Sequence, residues 1–130
     1  MNRNNPNYDL EIRTAKFGQS IISFCRNVKK DIITTPLINQ IVRSGTSVGA
    51  NYMEANSASS KKDFRNKIHI CKKESSETKH WLHMIASACP ECTEEARLLW
   101  RESQELTLIF GRIISSLENS KLIQNSELEI

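Results

Sequence analysis

The sequence predicts an all-α protein, an antiparallel up-down-up-down four-helix bundle, and three observations carry that expectation. Apolar residues recur at alternating spacings of four and three in four separate runs, the period of a helix that buries one face. Short segments holding Pro36, Ser60 or Pro90 separate the runs. No run alternates apolar and polar residues as a half-buried strand would. Four helices of roughly 20 to 25 residues with short connections favour antiparallel neighbours. The bundle is expected over 9–119, between a flexible tail at 1–8 and a frayed one at 120–130.

Asp9 is placed to cap the first helix, whose seam is Leu10, Thr14, Phe17, Ile21, Phe24 and Val28. Ile22 and Cys25 widen that seam toward the broad face of a helix with several neighbours, and Lys29 and Lys30 suit its carboxyl end. Thr35 before Pro36 combines an N-cap residue with the residue best tolerated at the first helical position. The second helix then presents Ile38, Ile41, Val42, Gly45, Val48, Gly49, Tyr52 and Ala55 as one face. Each glycine weakens a helix interior by roughly 1 kcal/mol relative to alanine. Two of them four residues apart therefore imply that another helix comes close, near the lower end of the usual spacing of about 8–10 Å.

Ser60-Lys61-Lys62-Asp63 resembles a capping box with Asp in place of Glu, opening a third helix. Its seam is Phe64, Ile68, Cys71, Ser75, Thr78, Leu82, Ile85 and Cys89, and a second apolar face adds Ile70, Trp81 and Met84. That excess predicts a further partner for this helix, hence self-association. Pro90 ends the helix, and Thr93 with Glu94 and Glu95 starts a fourth, placing an N-cap and acids at its positive end. Ala96, Leu99, Ser103, Leu106, Phe110, Ile113 and Leu117 form its seam, flanked by Trp100 and Ile114.

At 130 residues with 38% hydrophobic and 25% charged content, the chain suits one domain with a modest core. The first residues are polar and no run approaches 18 apolar residues, which implies a cytoplasmic protein with no membrane partner. Its four cysteines are then expected as thiols. The net charge of +3 is unevenly spread: residues 1–43 and 61–83 each hold seven Lys and Arg against three acids, while 91–130 hold four against eight. Complementary packing or assembly, with a basic surface where the acids turn away, follows from that asymmetry.

Three stretches carry a family resemblance: Arg43-Ser-Gly-Thr-Ser-Val-Gly-Ala-Asn-Tyr-Met-Glu-Ala, then Ser60-Lys-Lys-Asp-Phe, then Glu77-Thr-Lys-His-Trp-Leu. In order and spacing they resemble the bacterial 23S rRNA-intervening-sequence proteins, over about residues 13–119. That family is similar in fold to the accessory variability determinant proteins of diversity-generating retroelements, which are basic, assemble as pentameric barrels and work beside a reverse transcriptase with nucleic acid. The resemblance implies a bundle and a homopentamer, but no biochemical activity. The sequence departs from the family pattern at Lys72 and Lys73, in a stretch that is often more acidic, and in its cysteine pair after the third helix.

On the third helix Arg65, His69, Lys72, Ser76, Lys79 and His83 fall on one stripe, with Lys61 and Lys62 near its start. Positive charge at such intervals suits a phosphate backbone of RNA or DNA, and a solvated bundle face is the plainer alternative. Arg43, Gly45, Gly49, Asn51, Tyr52, Glu54 and Trp81 read as packing and interface residues. Glu74 and Glu77 are better suited to ion pairing, with Arg43 or a neighbouring subunit, than to acid-base chemistry, and the Glu77-His80 spacing is not repeated on a second helix as di-metal bundles require. Cys89-Pro90-Glu91-Cys92 is a single knuckle, with His80 and His83 facing different ways, so no metal or cofactor is expected. No Gly-rich phosphate loop and no nucleophile with a base at useful spacing is present. The function classes left are a non-enzymatic scaffold holding RNA or DNA beside another enzyme, or a protein–protein adaptor.

Overall fold

A computed structural model describes residues 6–128, with side chains from 10 to 120, and among these it contains four α-helices and no strand. They are α1 (Pro6–Asn27), α2 (Thr34–Asn56), α3 (Lys61–Ala88) and α4 (Thr93–Leu128), with a short 3-10 turn, Pro90–Cys92, before the last. The periodicity locates all four, and the boundaries differ where capping chemistry was misread. Helix α1 begins at Pro6, so Asp9 lies in its first turn rather than ahead of it, and its side chain is outside the described ones. Helix α4 continues to Leu128, beyond the seam that ends at Leu117.

The α1–α2 turn is built by an aspartate that the sequence reading passed over. Asp31 Oδ1 accepts from the N–H groups of Ile33 and Thr34 at 2.9 and 2.8 Å, while Thr34 Oγ1 accepts from the Asp31 N–H at 2.9 Å. This reciprocal pair is a capping box, and the Thr35 N–H donates to the Asp31 carbonyl as the first helical bond. Thr35 is therefore inside the helix and Pro36 is its third residue, not its first. Lys30 satisfies the other end of the turn, its Nζ donating to the carbonyls of Cys25, Arg26 and Val28 at 3.0, 3.0 and 3.1 Å. Ser60 caps α3 as expected, accepting from the Asp63 N–H at 3.0 Å. Thr93 does not cap α4: its hydroxyl donates to the Pro90 carbonyl at 2.7 Å.

The predicted seams meet in one core. Phe17, Ile21, Phe24, Ile41, Val48, Tyr52, Ile68, Leu82, Ile85, Leu106 and Phe110 are buried together. Cys25 and Cys71 are buried with them, while Ile22 is exposed, so α1 has a narrower buried face than its sequence suggests. On α3, Ile70, Trp81 and Met84 are half-buried within the chain. The most exposed large apolar side chains among the described residues lie on other elements, while Ile70, Trp81 and Met84 keep part of their surface open on α3.

The small face of α2 packs on α1. A Cβ on Gly45 would stand 2.9 Å from Ile21 Cγ1, and one on Gly49 would stand 3.3 Å from the Thr14 carbonyl carbon and oxygen. Gly18 answers from α1, where a Cβ would be 3.5 Å from Thr46 Cα. Contacts descend α1 as they ascend α2, from Ile21–Gly45 to Thr14–Gly49. The same reversal joins α2 to α3, from Arg43–Glu77 to Glu54–Lys67. It recurs between α3 and α4, from Arg65–Glu118 to Lys79–Gln104.

Polar groups inside the core are satisfied. Thr78 Oγ1 donates to Ser44 Oγ at 2.9 Å, and Ser103 Oγ donates to the Ser75 carbonyl at 2.6 Å. No buried side-chain nitrogen or oxygen among the described residues lacks a partner, and small hydroxyls thus let three helices pack closely without stranded donors.

Candidate nucleic-acid interface

Helix α3 sits between α2 and α4, and its two polar flanks are used differently. On the α2 side, Arg43 binds Glu74 Oε2 through Nη1 at 3.1 Å and Glu77 through Nη2. Trp81 Nε1 donates to the same Glu77 carboxylate at 3.2 Å. Burial pushes the Glu77 carboxyl up, but the bonds from Arg43 and Trp81 outweigh it and hold it below its ordinary value. The guanidinium of Arg43 is raised, chiefly by its hydrogen bond to Glu77. Glu54 pairs with Lys67 at 2.7 Å. Asn51 donates to the Ser47 carbonyl in its own helix, so it ties no second element. Tyr52 is buried with its ring tilted against Phe110, centroids 6.1 Å apart. These residues hold α2 to α3 and to the core. Glu54, Glu74 and Glu77 are each paired with a cation.

On the α4 side lies the predicted stripe. Lys61, Lys62, His69, Lys72 and His83 are exposed along α3. Arg65 and Lys79 are not free: Arg65 pairs with Glu118 at 3.5 Å, and Lys79 donates to Gln104 Oε1 with its Nζ 5.5 Å from the centre of the Trp100 ring. Those two residues tie α3 to α4. Of the others, Lys61 and Lys62 line a separate opening of about 760 Å³ at the start of α3, while Lys72 and His83 line a furrow between the two helices that widens at two places. One opening, about 640 Å³, is lined by Lys72, Gly111, Arg112, Ser115 and Asn119 among others. The other, about 440 Å³, is lined by Leu82, His83, Arg97 and Trp100 among others. No carboxylate lines either opening.

Two acids of α4 face away from these openings. Glu102 and Glu105 turn to α1, where Arg13 binds Glu102 through Nη2 at 2.6 Å and through Nε at 2.9 Å, and Glu105 at 3.2 Å. Arg13 is raised mainly by that Glu102 bond. Of the other α4 acids, Glu94 pairs with Arg97 of its own helix at 2.8 Å and Glu118 with Arg65 of α3 at 3.5 Å, while Arg97 and Arg112 line the furrow beside α3. The sequence reading missed both arginines. Their signal was available, since Arg97, Arg101, Leu108, Arg112 and Ser115 recur at three, four or seven residues and mark one stripe of α4.

The cysteine knuckle offers no comparable site. Cys89 is buried and Cys92 half-buried, and no group of three or more His, Cys, Asp or Glu able to hold a metal occurs among the described residues. Burial pushes Cys92 and Cys71 up to about 12 and Cys25 up to about 11. All three are thiols at neutral pH, the unreactive form. His80 stands edge-on to Trp81, ring centroids 4.8 Å apart.

The architecture defines a four-helix protein in which, among the described residues, two openings between α3 and α4 are lined by cations and by no carboxylate. A family model described as 23S rRNA-intervening sequence protein matches residues 9–109, and the chain belongs to that family. It is similar to the crystal structure of a protein with unknown function from the S23 ribosomal protein family of Bacteroides thetaiotaomicron. That likeness has 30% identity and a TM-score of 0.72, over 81% of this chain and 97% of that one. Comparison with curated proteins finds no match. No helix among the described residues is long and apolar enough to cross a membrane.

Proposed function

We propose that this protein is a non-enzymatic, homo-oligomeric scaffold that binds RNA or DNA along its α3–α4 furrow and serves as a cytoplasmic accessory to a nucleic-acid enzyme such as a reverse transcriptase. Its fold in this reading is an antiparallel up-down-up-down bundle, supported by the contact pairs that run in opposite directions across each neighbouring pair of helices. The observation that carries the function is the sorting of charge. Glu74 and Glu77 of α3 are taken up by Arg43, Glu102 and Glu105 of α4 by Arg13, Glu94 by Arg97 and Glu118 by Arg65. That leaves Lys72 and Arg112 facing solvent in an opening that no carboxylate lines, with Lys61 and Lys62 exposed at the start of α3. A polyanion gains from such a face through counterion release, with no need for base-reading groups.

The test is binding of labelled RNA, single-stranded DNA and duplex DNA at two salt concentrations. With about four phosphate contacts, affinity for a single strand falls roughly 50-fold between about 50 and 200 mM salt. A Lys62→Glu, Lys72→Glu, Arg112→Glu variant spares Arg65 and Lys79, which hold α3 to α4, and is expected to fold while losing this binding. Absence of binding by the wild type at low salt would replace this reading with a protein–protein adaptor.

A further inference from the structure

The furrow holds more than cations. Trp100 is 40% exposed on α4 and lines the 440 Å³ opening beside His83 and Arg97. Lys79 stands over its ring and is itself anchored by Gln104, so a positive charge is fixed against the indole. The chain's other tryptophan is used differently: Trp81 packs on the core and donates its N–H to Glu77. An indole left half in water, with Lys79 fixed against it and Arg97 of its opening paired to Glu94 at 2.8 Å, is a surface on which a flat, electron-rich group can stack while the negative charge it carries is met further along the furrow at Lys72 and Arg112. Nucleobases carried on a phosphate chain have that combination.

We propose that the α3–α4 furrow receives a single strand of nucleic acid, one base stacking on Trp100 and the adjoining phosphates running toward Lys72 and Arg112. This rests on the nucleic-acid reading above and adds the strandedness and the stacking residue. The dimensions fit. Trp100 and Arg112 are separated along the helix axis by about 18 Å at 1.5 Å per residue. A stacked strand advances about 3.4 Å per nucleotide, so the furrow accommodates roughly five. A duplex keeps its base faces inside its stack and can present only phosphates, which leaves Trp100 without a role.

Fluorescence anisotropy with labelled oligothymidine, oligouridine and a duplex of matched length tests this on the full chain. The two single strands are expected to bind more tightly than the duplex. Trp100→Ala should weaken single-strand binding about 5- to 150-fold with an unchanged salt dependence, because stacking is not an ionic term. Trp100→Phe should restore most of the loss, and Lys72→Glu with Arg112→Glu should instead flatten the salt dependence. If Trp100→Ala binds strands like the wild type, or the duplex binds better, the stacking inference is overturned while nucleic-acid binding stands. If nothing binds, both fall. Should Trp100→Ala fail to fold, the deciding measurement is quenching of the Trp100 emission of a Trp81→Phe protein by oligothymidine. Absence of quenching under conditions where that strand binds overturns the proposal.

Discussion

Arg43 and Glu77 show how a half-buried ion pair becomes a pH-dependent tie. The Glu77 carboxyl is held below its ordinary value, so its contribution is fully present above the unfolded value near pH 4.3 and is lost as pH falls through the lower, folded value. The carboxylate is partly screened by solvent, which limits the pair together with the Trp81 bond to about 1 kcal/mol. Thermal melts should therefore show Glu77→Gln less stable than the wild type at neutral pH, with the gap closing as the pH drops below about 4. A gap independent of pH would mean that Glu77 acts by packing alone. This pairing was legible from the i, i+3 placement of Glu74 and Glu77 and a lone arginine at the start of the small-residue stretch. The capping of α2 is less legible, because Thr35-Pro36 is itself a strong local start signal and lies beside Asp31 and Thr34, whose three-residue spacing makes the reciprocal bonds.

Among the elements, the α1–α2 contact was the most legible and only half of it was seen. Gly45 and Gly49 announce a close approach, and the structure identifies the approaching helix as α1, with Gly18 allowing it from the other side. A single glycine in a seam of large residues carries no spacing signal, which is why Gly18 escaped notice. Leucine at Gly45 or Gly49 must displace Ile21 or the backbone of Thr14 and Ala15, so either variant should lose about 1–3 kcal/mol or more in thermal or denaturant unfolding. Gly111 is the internal control. A Cβ there meets nothing nearer than Lys72 Cε at 3.9 Å, so Gly111→Ala should be neutral or stabilising by up to about 1 kcal/mol through helix propensity. Equal losses at all three positions would discredit the close-approach account.

For the whole molecule, the arrangement of charge and apolar surface separates two faces, and only one was anticipated. The stripe of α3 was visible as periodic lysines, arginines and histidines. Its α4 half was hidden because the acidic total of 91–130 obscures which side each charge occupies. Besides the partly open Ile70, Trp81 and Met84 of α3, apolar side chains are exposed between α1 and α4, where Ile12 is 39% and Leu98 63% exposed beside Lys16 and Arg13. A seam of that kind suits a second copy of the chain, consistent with the homo-oligomer proposed above and distinct from the α3–α4 furrow. Light scattering at micromolar concentration is expected to give a mass above the monomer, with a pentamer as the state that the family resemblance implies. An Ile12→Glu, Leu98→Glu variant should fall to the monomer with its helix content and melting behaviour retained, since neither side chain belongs to the buried core. A monomeric wild type would end the oligomeric reading. A stable dimer would remove the pentameric barrel, and loss of assembly only when α3 is altered would move the interface to the furrow and take from it the exposure that nucleic-acid binding needs.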